Sequence, residues 1–278
     1  MILINKGMST GWSFEQLKSS KSALGFTILS VLHSIEKSWD GISGDTSDSK
    51  EIQELRPKYQ GLVKEAFHAM YHDIHGLAVE IDLIKTLFEN RKEIAPQKHF
   101  LYVTEAIEKY ITNIRSIYDF MAKILRLAVE QGHIGQLSLD SFNSLVESIE
   151  KENTKDKLSE DLIKILSSAK ESFKKARGLR DSIIHNGKEI NVMTKDDGYY
   201  ISLYIEKKRG YSEYVPALSF LAEITNEMFI IGEEIGDLIF QEYSKRYGEF
   251  TFWRVALEGV CIPAFIEFLD YQGRLKVE

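Results

Sequence analysis

The sequence is poor in the residues that mark several common classes of protein. It contains one cysteine and four prolines among 278 residues. A single cysteine, Cys261, excludes an intramolecular disulfide framework and a zinc site built from several cysteines. So few prolines are not typical of a disordered or loop-dominated β protein. Because Cys261 stands in an apolar run, we expect its thiol to be buried and inert. The single cysteine also predicts a protein of a reducing compartment.

Long apolar runs are missing too. No window approaches the roughly 18 apolar residues that a membrane-spanning helix needs, and residues 1–16 lack the basic start and apolar stretch of a signal peptide. We therefore expect a cytoplasmic protein with no membrane partner. The formal net charge of −7 argues against general binding of polyanions, so any nucleic-acid contact requires a local basic patch. The Gly-rich motifs of nucleotide hydrolases and the Gly-x-Ser-x-Gly motif of serine hydrolases are absent from the sequence.

What the sequence does contain is a series of amphipathic segments. Apolar residues in segment 98–129 recur at alternating spacings of three and four, which is typical of a helix packed in a bundle. A loop rich in Gly, Ser and Asp occupies 41–50, and the turn Asp196-Asp197-Gly198 stands between two alternating runs that predict a β-hairpin. The remaining predicted helices are 13–37, 59–90, 141–152, 159–185 and 216–246, the last with Pro216 in its first turn.

These segments predict an all-α architecture in three parts. Residues 1–95 form an N-terminal helical region that packs on a bundle, residues 96–246 form the bundle, and residues 247–278 form an apolar extension. The hairpin, at about 189–206, is inserted before the last helix of the bundle. Each apolar seam needs facing seams, so we expect helices 98–129 and 216–246 to pack against helix 159–185.

Helix 159–185 carries a charge where its pattern requires an apolar residue. Position 180 falls on the apolar seam, yet the residue there is Arg180. A buried arginine is costly unless its guanidinium finds a partner or a cavity. His185 follows five residues later, about 140° around an ideal helix. The pair Asn186-Gly187 then favours the end of the helix.

The string RDSIIHNG, which runs from Arg180 to Gly187, resembles the R-x4-6-H motif of the HEPN superfamily. In that family a polar residue, often Asn, Asp or His, follows the arginine, and Asp181 fits this pattern. The family's motif lies late in one long helix of an antiparallel four-helix bundle, and segment 159–185 fits that placement. The resemblance covers roughly residues 96–246. Some HEPN toxins that are paired with antitoxins have a tyrosine two residues after the histidine, and Gly187 departs from that branch.

The resemblance implies metal-independent cleavage of RNA, in which the 2′-hydroxyl attacks the adjacent phosphate. In that reaction His185 transfers protons and Arg180 stabilises the charge of the phosphorane. HEPN ribonucleases usually assemble the site from two protomers, so the resemblance implies a homodimer with RNA as its substrate. It also implies a toxin or defence role, with an antitoxin or regulatory protein as a possible partner. No cofactor is expected.

Neighbouring residues suggest support for that chemistry. Asp181 stands four residues before His185, so its carboxylate can orient the imidazole and can also pair with Arg177. Asn186 either caps the helix or binds substrate phosphate. Six basic and two acidic residues lie between 170 and 188, a net charge of +4. The candidate phosphate contacts in this segment are Lys174, Lys175, Arg177 and Lys188.

Two other interpretations stay open. Arg180 and His185 can instead form a satisfied core pair in a non-catalytic bundle that binds a partner protein or a nucleotide. A third class of function is metal binding by His68, His72 and His75, which span about 60° of one helix face. That stripe lies opposite an apolar face, where a solvated polar face is expected in any case.

A di-iron site is a further metal-binding interpretation. Glu65 and His68, and likewise Glu130 and His133, match the Glu-x-x-His spacing of di-iron bundles. The second of these pairs stands at a helix end broken by glycines, whereas a di-iron site needs ligands in the middle of its helices.

Overall fold

The computed structural model describes residues 26–39, 50–186, 190–205, 210–247, 264, 265 and 268, and these residues are mostly helical. The helices are α1 (Phe26–Trp39), α2 (Lys50–Glu89), α3 (Pro96–Ile124), α4 (Gln131–Ile134), α5 (Phe142–Ser148), α6 (Glu152–Lys155), α7 (Glu160–Asn186) and α8 (Ala217–Tyr247). The strands are β1 (Asn191–Lys195), β2 (Gly198–Ser202), β3 (Tyr204–Ile205), β4 (Gly210–Tyr211) and β5 (Val215–Pro216).

The long predicted helices are confirmed, with shifted ends. Helix α2 begins at Lys50 and so takes up the last residue of the predicted loop. Predicted helix 98–129 ends at Ile124 and continues as a short 3₁₀ turn, and predicted helix 141–152 is divided into α5 and α6. Residues 13–25, most of the loop at 41–50, Cys261 and most of the 247–278 extension lie outside the described residues.

Helix α3 occupies the centre of the core. Its residues from Val103 to Ile124 are buried on several faces, and the helix packs against α2, α7 and α8. Helix α8 packs against α7 as well, which confirms the predicted contacts of helix 159–185. Helix α1 lies against α8, so the two described N-terminal helices share one continuous apolar core with the rest.

The predicted hairpin is present, and a third strand extends it. Strands β1 and β2 pair antiparallel around the predicted turn, where Gly198 has a φ of 153°, a value that favours glycine. Strand β5 then pairs with the other edge of β2, with Pro216 opposite Tyr200. The expectation that Pro216 lies in the first turn of the last helix is therefore wrong. Proline lacks a backbone N–H, and an edge strand tolerates that loss.

A buried polar pair docks this sheet on the helices. The Tyr199 hydroxyl lies 2.6 Å from Nε2 of His99, near the start of α3, and the Tyr199 ring meets Phe88 edge to face. Burial raises the pKa of Tyr199 to about 12, so its hydroxyl stays protonated at neutral pH. The sheet therefore sits at the end of the bundle where α2 turns into α3.

Helices α2 and α3 approach closely at Gly76. A Cβ atom added there would lie 2.7 Å from Nδ2 of Asn113, a buried residue of α3. The contact is shorter than van der Waals separation, so an alanine at position 76 requires the buried Asn113 side chain to shift.

We predict that Gly76→Ala lowers the free energy of unfolding by about 1–3 kcal/mol, because overpacking outweighs the higher helix propensity of alanine. Gly61→Ala is the matched control on the same helix, since a Cβ at Gly61 meets nothing within 4 Å. The control should raise stability by up to about 1 kcal/mol. Urea unfolding of both variants measures the difference, and equal stabilisation by both would show that the close approach is absent.

Candidate functional site

The apolar seam of α7 is confirmed as far as Ala176. The seam residues before that point are buried, and Phe173 lies in an aromatic cluster with Tyr118 and Phe142. Beyond Ala176 the packing loosens, because Leu179 and Ile183 are only partly buried. The buried seam residues of α7 are Leu162, Leu166, Ala169, Phe173 and Ala176.

Arg180 is therefore not enclosed in the core. Its side chain is 33% exposed, so the expectation of an arginine on a packed seam is wrong. The periodicity places position 180 on the correct face of α7, but the tightly packed part of that face ends one turn earlier. The guanidinium reaches solvent, and the desolvation cost of a buried charge does not arise.

Asp181 joins two arginines. Its Oδ1 accepts a hydrogen bond from Nη1 of Arg180 at 3.1 Å, and its Oδ2 accepts one from Nε of Arg177 at 3.2 Å. The three side chains are between 33% and 42% exposed. Water screens such ion pairs, so each contributes little to stability. Their effect is geometric, because one carboxylate fixes the separation of two guanidinium groups.

Arg177 has a second acceptor on another helix. Its Nη1 donates a short hydrogen bond to the side-chain oxygen of Asn143 in the first turn of α5. The Asn143 amide nitrogen in turn donates to Oε1 of Glu147 at 2.7 Å. A continuous line of polar contacts thus runs from α5 through Arg177 and Asp181 to Arg180. We call these four residues, Asn143, Arg177, Asp181 and Arg180, the arginine relay.

Helix α5 is itself tied to α3. The Phe142 N–H donates to Oδ1 of Asp119 at 2.9 Å, which satisfies one of the unpaired donors at the start of α5. Ser141, the residue before α5, makes no side-chain capping bond. Oδ2 of Asp119 lies 2.5 Å from Nη1 of Arg115, whose guanidinium carbon lies 4.9 Å from the centre of the Phe173 ring. Asp119 of α3 therefore holds the start of α5, while Arg115 joins the same part of α3 to α7.

For His185, the other proposed catalytic residue, the structure describes the backbone position. Helix α7 continues through His185 to Asn186, so positions 180 and 185 remain about 140° apart around the axis. The described helix ends at Asn186, in agreement with the predicted end of helix 159–185 at the pair Asn186-Gly187. The side chains of His185 and Asn186, and the whole of Lys188, lie outside the described residues.

The positive charge of segment 170–188 is partly compensated by distant parts of the chain. Nζ of Lys175 lies 2.6 Å from Oε1 of Glu223 on α8, and Lys170 pairs closely with Glu150. The hydrogen bond from Lys170 lowers the pKa of the Glu150 carboxyl, and the charge of Lys174 adds to this effect. Glu150 and Glu223 lie outside segment 170–188, so the net charge counted over that segment does not include them. The arginine relay therefore remains the main cationic feature of this part of α7.

The histidine stripe does not form a metal centre. His72 is exposed, Nε2 of His68 lies 3.5 Å from Oε1 of Glu36, and the His75 ring packs on Tyr71 at 4.4 Å. In the described part of the chain, no three His, Cys, Asp or Glu residues lie close enough together to hold a metal ion. The stripe is instead a partly solvated helix face, and the di-iron pairing with Glu130 and His133 is likewise not assembled.

Sequence reasoning missed Asn143. It lies 34 residues before Arg177 and in a different helix, and an asparagine in a short polar segment carries no periodic signal. Asp119 and Arg115 were missed for a different reason: an i, i+4 ion pair on a helix is ordinary in any sequence and does not indicate a site.

Comparison of the chain with protein-family models, with curated proteins and with solved structures found no match in any of the three. None of the helices that the structure describes is both long and apolar enough to span a membrane.

We predict that the end of α7 can be altered without unfolding the protein. Asp181→Asn should lower the free energy of unfolding by less than about 1 kcal/mol, because its ion pairs are solvated. Phe173→Ala, three residues before Ala176 on the same helix, should cost about 3–5 kcal/mol because a fully buried ring is lost. Chemical denaturation measures both variants. A loss as large for Asp181→Asn as for Phe173→Ala would mean that Asp181 is part of the folding core.

Proposed function

We propose that the protein is a metal-independent endoribonuclease of the HEPN type, with Arg180 and His185 as its catalytic residues. The observation that carries the proposal is the placement of Arg180. It stands near the end of a long helix packed between α3 and α8, one third exposed and held by Asp181, five residues before His185. An arginine held in one position at the surface is well suited to a phosphate group.

In the proposed reaction the 2′-oxygen forms a bond to phosphorus and the bond from phosphorus to the 5′-oxygen breaks. A histidine takes the proton of the 2′-hydroxyl, and an imidazolium returns a proton to the departing 5′-oxygen. Arg180 donates to the non-bridging oxygens, whose negative charge grows in the phosphorane. The products are a 2′,3′-cyclic phosphate and a 5′-hydroxyl.

The helical geometry of α7 favours a homodimeric site. Positions 180 and 185 are about 140° apart around the axis of α7, so they lie on different faces of the helix. A second copy related by a two-fold axis supplies the histidine that faces the first copy's Arg180. A ribonuclease of this kind fits a toxin or defence role, in which an antitoxin or another regulatory protein restrains it.

A second candidate is a non-catalytic bundle that binds a partner protein or a nucleotide. The in-chain ion pairs favour it, because Asp181 already compensates Arg180 and Glu223 compensates Lys175. In that case the arginine relay holds α5 against α7 and takes no part in a reaction.

We predict that the purified protein cleaves labelled single-stranded RNA in the presence of a chelator. His185→Ala should abolish cleavage because the proton carrier is lost. Arg180→Ala should reduce the rate on the order of 10²–10³-fold through lost charge stabilisation. Asp181→Ala should cost less than either, because it removes only a group that orients others.

Lys164→Ala is the matched control, since it removes a charge from the same helix whose partner is Asp161 rather than the relay. It should leave the rate within about twofold of the native value, as expected for a screened surface pair. Cleavage that requires metal, or that survives His185→Ala, would refute the mechanism. No cleavage at all would favour the non-catalytic bundle.

A further inference from the structure

Asn143 has its side-chain amide oriented by two neighbours of different character. Glu147, one turn later on α5, accepts from the Asn143 amide nitrogen. An ionised carboxylate only accepts hydrogen bonds, so it draws the NH₂ end of the amide towards itself. The carbonyl oxygen is thereby turned towards Arg177, whose Nη1 donates to it. Helix α5 thus presents a single, fixed acceptor to α7.

That acceptor fixes the plane of the Arg177 guanidinium. The group is held at Nη1 by Asn143 and at Nε by Asp181, which lie on different helices. Hydrogen bonds at two different nitrogens leave this rigid, planar guanidinium little freedom to rotate. Since Arg177 holds Oδ2 of Asp181, the other oxygen, Oδ1, is turned towards Arg180.

The start of α5 is a stable base for this arrangement. The Phe142 ring is fully buried and lies 5.0 Å from the Phe173 ring, and the Phe142 N–H is bonded to Asp119 of α3. Asn143 directly follows this anchored residue. A movement of the Asn143 backbone therefore requires a loss of core packing and not only the breaking of one surface contact.

We propose that Asn143 is a positioning residue for Arg180, acting through Arg177 and Asp181 from a different helix. The inference rests on the proposed function, because the group being positioned is the arginine that stabilises the phosphorane. Without Asn143, Arg177 and then Asp181 gain rotamer freedom, and Arg180 is no longer held where charge develops. The effect falls on the transition state, so it lowers kcat more than it raises KM.

The first arm of the test uses RNA cleavage. Asn143→Ala should lower kcat about tenfold and change KM less than about twofold, since one link in the positioning of a catalytic group is lost. The paired exchange Asn143→Asp with Glu147→Gln keeps both hydrogen bonds and reverses the direction of one: Asp still accepts from Arg177, while the glutamine amide now donates to Asp. This pair should restore kcat to within about threefold of the native value.

The second arm needs no activity. The side-chain Nε–Hε NMR resonance of Arg180 should shift in Asn143→Ala, although the two residues are not in direct contact in the relay. Glu150→Ala is the control, because it removes another contact to α7, with Lys170, outside the relay. It should leave the Arg180 resonance unchanged.

The two arms separate the possible failures. An Arg180 resonance that Asn143→Ala leaves unmoved overturns the positioning role, whatever the RNA assay shows. A rise in KM alone, or a kcat that the paired exchange fails to restore, overturns it as well. If the resonance shifts but no variant, the native protein included, cleaves RNA, the positioning of Arg180 stands and the proposed ribonuclease function fails.

Discussion

The burial of helix α3 is the constraint on which the rest of the structure depends. Its apolar residues point to several sides, so α2, α7 and α8 must all pack around it. Its polar residues need partners at the same time. Tyr110 meets Thr225 of α8 at 2.5 Å, and because Thr225 already donates to the Leu221 carbonyl, the tyrosine is the donor. Asp119 binds the start of α5. Helices α8 and α5 are thus each placed by packing and by a directed contact from α3.

The candidate site forms where this packing ends. Phe173 and Ala176 are the last fully buried seam residues of α7, and the next turn carries Arg177, Arg180 and Asp181 at partial exposure. The core thus fixes the helix axis, while the polar contacts from α5 fix the side chains at its end. Such a division suits a site that has to be rigid and yet accessible to a charged ligand.

Periodicity predicted the long helices, the hairpin and the packing of α7 between α3 and α8, because buried stripes and alternating strands leave a direct pattern in the sequence. Periodicity assigned position 180 to the correct face of α7 but did not predict its exposure, because an apolar stripe does not indicate where the neighbouring helices stop covering it. It also could not find the Glu150 and Glu223 partners, the third strand at Val215–Pro216 or Asn143. All of these depend on contacts between distant segments, which local patterns do not encode.

In the proposed reaction the 2′-hydroxyl of the substrate is the nucleophile and Arg180 stabilises the resulting phosphorane. The most direct test replaces the ribose by 2′-deoxyribose at one mapped cleavage position of an RNA strand otherwise unchanged. We expect this bond alone to become resistant to the native protein, in chelator, while the remaining sites are still cut. Continued cleavage at the deoxy position would contradict this mechanism.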